Sequence, residues 1–128
     1  MNKTLSNRVL IIEDDPDSIE PLKILLKINN YTVETALDGE SGLAKALQFE
    51  PHIIICDISL PGSINGLEVA EALRGNEKTQ AVFLVALSGY GRIEDVNEAK
   101  AAGFNEYLVK PVIFDELIKT LGSQAVLS

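Results

Sequence analysis

The chain has no tryptophan, one cysteine and few basic residues. The lone Cys56 cannot form an internal disulfide, which suits a reducing cytosol and sets the expectation of a cytoplasmic location. No apolar run approaches the ~18 residues of a membrane span, and the N-terminus lacks the basic-then-apolar pattern of a secretory signal, so no membrane partner is expected. Only 11 Lys and Arg stand against 19 Asp and Glu, a net charge of −8. Phosphate backbones repel such a surface, and direct nucleic-acid binding is not expected. Low-complexity stretches, internal repeats and linkers are missing too. With 46% hydrophobic and 23% charged residues, the composition argues against disorder, collagen and coiled coil. A chain of 128 residues is then read as one domain over residues 1–128, its core from about 8 to 122 and its ends, before about Arg8 and from about Ser123, expected to fray.

What is there is an alternation. Short β-branched runs read as strands at Val9–Ile12, Tyr31–Ala36, Ile53–Cys56, Ala81–Leu87 and Tyr107–Val109. The first, third and fourth are apolar throughout, as parallel strands covered on both faces are. Amphipathic segments lie between them. The first carries Ile19, Leu22, Leu25, Leu26 and Ile28; Pro16 suits its opening, but Pro21 inside it would remove a backbone bond, so a late start capped by Asp17 or Ser18 is expected. Further helices are read at about Gly39–Phe49, Leu67–Leu73, Ile93–Ala102 (closed by Gly103 and Phe104) and Asp115–Leu121. Five strand–helix repeats predict an α/β fold: a doubly wound, five-stranded parallel sheet with five helices, right-handed crossovers and flavodoxin-like order 2-1-3-4-5.

In such sheets ligands bind beyond the carboxyl ends of the strands. Strand one ends in Glu13-Asp14-Asp15, strand three in Asp57, strand four in Ser88-Gly89 and strand five in Lys110-Pro111, while strand two ends in an ordinary turn, Leu37-Asp38-Gly39. Carboxylates gathered at one edge repel one another unless a hard divalent cation joins them, and Mg²⁺ takes oxygen ligands and commonly shares them with phosphate. Lys110 offers a point charge for an anionic oxygen and Ser88 a hydroxyl donor. Around one aspartate, those groups make a phosphoryl-transfer site with Asp57 as nucleophile.

The same residues resemble the receiver domain of bacterial two-component response regulators, most closely the single-domain chemotaxis type, from about Arg8 to Leu121. The signature is dispersed over Leu10-Ile11-Ile12-Glu13-Asp14, Asp57-Ile58-Ser59-Leu60-Pro61-Gly62, Ala86-Leu87-Ser88-Gly89 and Tyr107-Leu108-Val109-Lys110-Pro111. The resemblance implies Asp57 as phospho-acceptor, Lys110 as the phosphate-binding lysine before a cis Pro111, and Ser88 and Tyr107 as switch residues. It implies Mg²⁺ held by Asp14, Asp57 and the backbone carbonyl of Ser59, with Glu13 acting through water. It also implies a histidine kinase or histidine phosphotransfer protein as donor, and a downstream protein bound by the face of helix 4, strand 5 and helix 5. Catalysis would be confined to the protein's own phosphoryl transfer and autodephosphorylation. The sequence departs from the family in the turn Pro61-Gly62-Ser63-Ile64-Asn65-Gly66, one residue longer than usual, and in Val112 where Phe is common.

Other residues carry plainer readings. Asp15 is a cap or loop residue before it is a third acid, Cys56 is core, and His52 lies at the wrong end of its strand for catalysis. Tyr90 and Ser59 flank the site. A flavodoxin-like electron carrier would need Ser, Thr and Gly after strand one, where three acids stand. A haloacid-dehalogenase-like phosphatase would need an Asp-x-Asp there, which Glu13-Asp14-Asp15 does not supply. A receiver module from a hybrid histidine kinase remains a rival reading, since Ser88-Gly89-Tyr90-Gly91 resembles such modules.

Overall fold

In the computed structural model the described residues are 7–125, the side chains of 123–125 excepted. The strands are β1 (Arg8–Ile12), β2 (Thr32–Ala36), β3 (Ile53–Asp57), β4 (Phe83–Ser88) and β5 (Glu106–Val109). The helices are α1 (Pro16–Ile28), α2 (Gly39–Phe49), α3 (Gly66–Arg74), α4 (Ile93–Ala102) and α5 (Phe114–Ala125). The strands form one parallel sheet in the order β2-β1-β3-β4-β5, as the alternation predicts.

Strand alternation splits the core into two layers. Leu10, Ile12, Ile54, Cys56, Leu84 and Ala86 face α2, α3 and α4, meeting Ala46, Val69, Leu73 and Ala99. Val9, Ile11, Ile53, Ile55, Val85 and Leu87 face α1 and α5, meeting Ile19, Leu22, Leu26, Leu117 and Leu121. Central β1, β3 and β4 are therefore apolar on both faces, whereas the edge strand β2 alternates with solvent. A fully buried Leu or Ile contributes on the order of 2 kcal/mol relative to exposure, so these two layers dominate the fold's stability.

The expected late start of α1 is corrected. Asp15 is the N-cap, its side chain accepting the Asp17 N–H at 3.0 Å, and Pro16 opens the helix. Pro21 sits inside it. The bond it cannot make would have ended on the Asp17 carbonyl, and both residues are exposed, so water can serve that oxygen. At the amino ends β2 and β4 begin later than expected, at Thr32 and Phe83, and β5 one residue earlier, at Glu106. At the carboxyl ends β3 and β4 take in Asp57 and Ser88 as last residues rather than ending before them. The helix expected at Asp115–Leu121 runs from Phe114 to Ala125, so its backbone is regular past Ser123; residues 1–6 and 126–128, expected to fray, lie outside the described residues.

Candidate functional site

Backbone bonds carry the sheet's ladders one step past the strands and so fix the site. Glu13 N–H donates to Ala36 O at 3.0 Å, Ile58 N–H to Leu87 O at 3.0 Å and Lys110 N–H to Ser88 O at 2.8 Å. Asp57 pairs with Leu87, and Ser88 with Val109, on the last rungs. The topology thereby brings Glu13, Asp14, Asp57, Ser88 and Lys110 to one edge, as the sequence predicts. The Lys110–Pro111 peptide is cis, as the family resemblance implies.

Glu13, Asp57 and Ser88 are buried, at 1%, 5% and 4% exposure. Lys110 Nζ donates to Glu13 Oε1 and to Asp57 Oδ2, both at 2.9 Å. The other Asp57 oxygen, Oδ1, accepts the Ser59 N–H at 2.9 Å. Glu13 Oε2 accepts the Asp15 N–H at 3.2 Å. Asp14 is exposed, yet it brings one oxygen within 4.8 Å of oxygens of Glu13 and Asp57. The approach of β3 to α3 is tight: a Cβ on Gly66 would lie 2.4 Å from the Asp57 carbonyl oxygen, so only glycine lets the returning chain pass.

Burial raises the Glu13 pKa, and the Asp57 charge adds to it against the lowering effect of Lys110. For Lys110 burial acts downward, but hydrogen bonds and charge from Glu13 and Asp57 outweigh it, and the pKa is raised. The ammonium is firmly charged. One ammonium among three carboxylates leaves the edge net negative, and all three donors are hard oxygens. That donor set fits Mg²⁺.

Ser88 Oγ accepts the Tyr90 N–H at 3.1 Å. Tyr107, half-buried against the α2–α4 layer, donates its hydroxyl hydrogen to the Tyr90 carbonyl. Residue 90 thus touches both expected switch residues through its backbone, a link that no side-chain signal could have announced. Cys56 is fully buried in the layer facing α2–α4, and burial, with the Asp57 and Glu13 charges adding to it, pushes its thiol pKa far up, so it is core as expected. His52 lies at the amino edge, its Nδ1 accepting the Arg8 N–H at 3.3 Å. Asp15 caps α1.

The chain matches the response regulator receiver domain family over residues 9–122 and belongs to it. It is thus a receiver domain of two-component signalling, a signalling family rather than a classical enzyme, and the electron-carrier and phosphatase readings are set aside. One relative is the DNA-binding dual master transcriptional regulator RpaA of Synechocystis, 35% identical over 111 residues that make up 87% of this chain and 46% of that protein. The chain spans about half the length of the curated relatives it matches. Chemotaxis response regulator CheY4 of Vibrio cholerae superposes with a TM-score of 0.86 at 32% identity, covering 94% of this chain and 98% of that one. The receiver domain of sensor histidine kinase PA1611 from Pseudomonas aeruginosa, with magnesium coordinated in its active site cleft, gives 0.85 at 26% identity over 94% and 98%. No helix among the described residues is long and apolar enough to cross a membrane.

Proposed function

We propose that this receiver takes a phosphoryl group onto Asp57 from a phosphohistidine of a histidine kinase or histidine phosphotransfer protein, and that the change at Asp57 alters its protein contacts. The observation that carries the reading is Asp57 itself: a buried carboxylate at a strand end, with Lys110 Nζ at 2.9 Å on one oxygen and the Ser59 N–H at 2.9 Å on the other. An Asp57 oxygen attacks phosphorus, the P–N bond to the donor imidazole breaks, and its electron pair leaves on that nitrogen. The carboxylate needs no base. Lys110, anchored on Glu13, is placed to meet a phosphoryl oxygen. Asp14, Asp57, the Ser59 carbonyl and, through water, Glu13 would hold Mg²⁺, which when bound neutralises charge on the transferring group.

The output step uses residues already in contact. Phosphorylation replaces the single charge of the Asp57 carboxylate with a phosphoryl group of about −2 and brings new acceptor oxygens. Ser88 Oγ, freed from the Tyr90 N–H, donates to one of them, and the vacated space admits Tyr107 once its hydroxyl leaves the Tyr90 carbonyl. Exposed Ile93, Val109 and Ile113 on or beside α4, β5 and α5 make that face the expected docking surface for a downstream protein. The same reading carries a cytoplasmic location, a single receiver domain over residues 1–128 and autodephosphorylation, in which water attacks phosphorus, the bond to the Asp57 oxygen breaks, and the carboxylate and inorganic phosphate are released. Likeness to the PA1611 receiver also supports a second reading, a module of a hybrid histidine kinase with the same site; full gene length decides between them.

Asp57→Asn removes the nucleophilic oxygen and nearly preserves shape. With Mg²⁺ and a small phosphodonor, the wild type should gain base-labile, hydroxylamine-sensitive phosphate and the variant none. Equal incorporation by Asp57→Asn would show that the acceptor is another residue.

A further inference from the structure

The start of α2 looks remote from phosphoryl chemistry, since β2 contributes no acid or cation to the site. Yet the long β3–α3 connection, residues 58–65, leans on it. A Cβ on Gly39 would lie 2.6 and 2.9 Å from Cγ1 and Cδ1 of Ile64, and 2.9 Å from Cγ2 of Val69. The space a side chain would fill at Gly39 is therefore occupied by Ile64. Gly39 shows no positive φ, so glycine is needed there for room and not for conformation. One residue on, Ser63 Oγ donates to Glu40 Oε2 at 2.9 Å. The platform is firm: Asp38 caps α2, its Oδ1 accepting the Ser41 N–H at 2.8 Å.

The loop's other end is held at the site. Ser59 N–H lies on Asp57 Oδ1 at 2.9 Å, and Gly66 N–H on Ile58 O at 2.9 Å. Ile58, Leu60 and Ile64 all join the same apolar layer. The loop's Ser63-Ile64 tip reaches the notch at Gly39. Val69, fully buried on α3, has little freedom to yield, so anything added at Gly39 displaces Ile64 and with it the loop.

We propose that Gly39 and Ile64 form a positioning clamp for the Asp57–Ser59 segment, and that Gly39 is a positioning residue for metal binding and phosphoryl acceptance. The proposal rests on the reading of Asp57 and Ser59 as metal-site groups, but the clamp itself can be observed without metal. Gly39→Ala adds one methyl group against Ile64 and Val69, an overpacking that should lower the thermal midpoint while leaving the protein folded and the loop pushed.

The test follows backbone amides by NMR in metal-free protein, then titrates Mg²⁺, for the wild type, Gly39→Ala, Ile64→Ala and the double variant. Gly39→Ala should move the Ser59 amide resonance and speed exchange of the Gly66 amide while the rest of the amide spectrum stays that of the folded protein. Its Mg²⁺ affinity should drop about tenfold, the lower end of the loss when a supporting contact goes. Gly39→Ala combined with Ile64→Ala removes the two contacts with Ile64, leaving only that with Val69 on α3, and should recover both loop signals toward those of Ile64→Ala alone. Unmoved Ser59 and Gly66 amides in Gly39→Ala would overturn the clamp, as would a double variant worse than both singles. If the amides respond and the wild type binds no Mg²⁺, the clamp stands as a loop anchor, while the metal-site reading and Gly39's role in metal binding fall together.

Discussion

The two edges of the sheet hold their charges in opposite ways. At the carboxyl edge Glu13 and Asp57 share the Lys110 ammonium, and Asp14 adds a third carboxylate within 4.8 Å of theirs. At the amino edge the cations are answered by backbone. Arg8 Nε donates to the carbonyls of Phe49 and Glu50 at 3.1 and 2.9 Å, and its Nη2 to Glu50 at 2.7 Å, pinning Glu50 at a φ of 51° where α2 ends. Arg74 reaches the Gly103 carbonyl through Nε and Nη2, the Gln80 and Val82 carbonyls through Nη1, and Asn105 Oδ1 through Nη2, all between 2.7 and 3.0 Å. Helix direction explains the contrast. Every helix follows a strand, so α2 and α4 bring their carbonyl-bearing ends to the amino edge, where cations are favoured. Helix N-termini gather at the other edge and favour anions. The amino edge answers its arginines within the chain and serves stability; the carboxyl edge keeps an excess of negative charge, which suits binding a cation.

Arg74→Ala tests that division hardest. It leaves the Val82 and Gly103 carbonyls without their donors, and unmade bonds to buried or half-buried carbonyls cost more than the bonds contributed. Unfolding by denaturant should show a loss of about 3 kcal/mol. Mg²⁺ affinity of the folded protein should stay within twofold or so of the wild type, because nothing in the acidic cluster touches Arg74. A large parallel loss of metal binding would mean that the two edges are not separable.

At the opposite edge the pattern should invert. Asp14→Asn removes an exposed carboxylate that two others repel, so the metal-free protein should be no less stable, yet Mg²⁺ affinity should fall by about tenfold or more. Glu13→Gln should weaken binding less, since its proposed contact with the metal runs through water. Calorimetric titration in which Glu13→Gln costs more than Asp14→Asn would reverse the assignment of direct and water-mediated ligand.

How much of this was legible beforehand follows from what residue types reveal. Asp57, Lys110, Glu13 and Asp14 could be read because charged residues directly after apolar strands have few other reasons to be there, and parallel topology gathers strand ends. Two apolar layers likewise follow from alternation in β1, β3 and β4. The start of α1 differs from the sequence expectation because the cost of an interior proline depends on exposure, and at Pro21 solvent can take the freed Asp17 carbonyl. Arg74 and Arg8 escaped notice because an arginine that binds carbonyls looks, in sequence, like any solvated arginine. The Tyr90 carbonyl and the notch at Gly39 escaped for a stronger reason: a backbone oxygen and an absent side chain carry no pattern at all.

The smallest expected effect concerns His52, which shares the amino edge with Arg8. Burial lowers its pKa below the usual 6.5, and the Arg8 charge adds to the lowering. Its Nδ1 accepts the Arg8 N–H, a bond that protonation of that nitrogen would break. Between the folded pKa and 6.5 the unfolded chain binds more protons than the folded one, so stability rises with pH across that window. The contribution is fully present above 6.5 and is lost as pH falls through the folded value. His52→Asn keeps a short acceptor side chain and does not titrate. Unfolding free energies of both proteins from about pH 5 to 7.5 then isolate the imidazole, because the carboxylates titrate alike in each. The difference, wild type minus variant, should be level above 6.5 and decline below it. A difference that stays level, or grows as pH falls, would mean that the amino edge accepts an imidazolium beside Arg8, and an edge that accepts further cations is not closed by its own carbonyls.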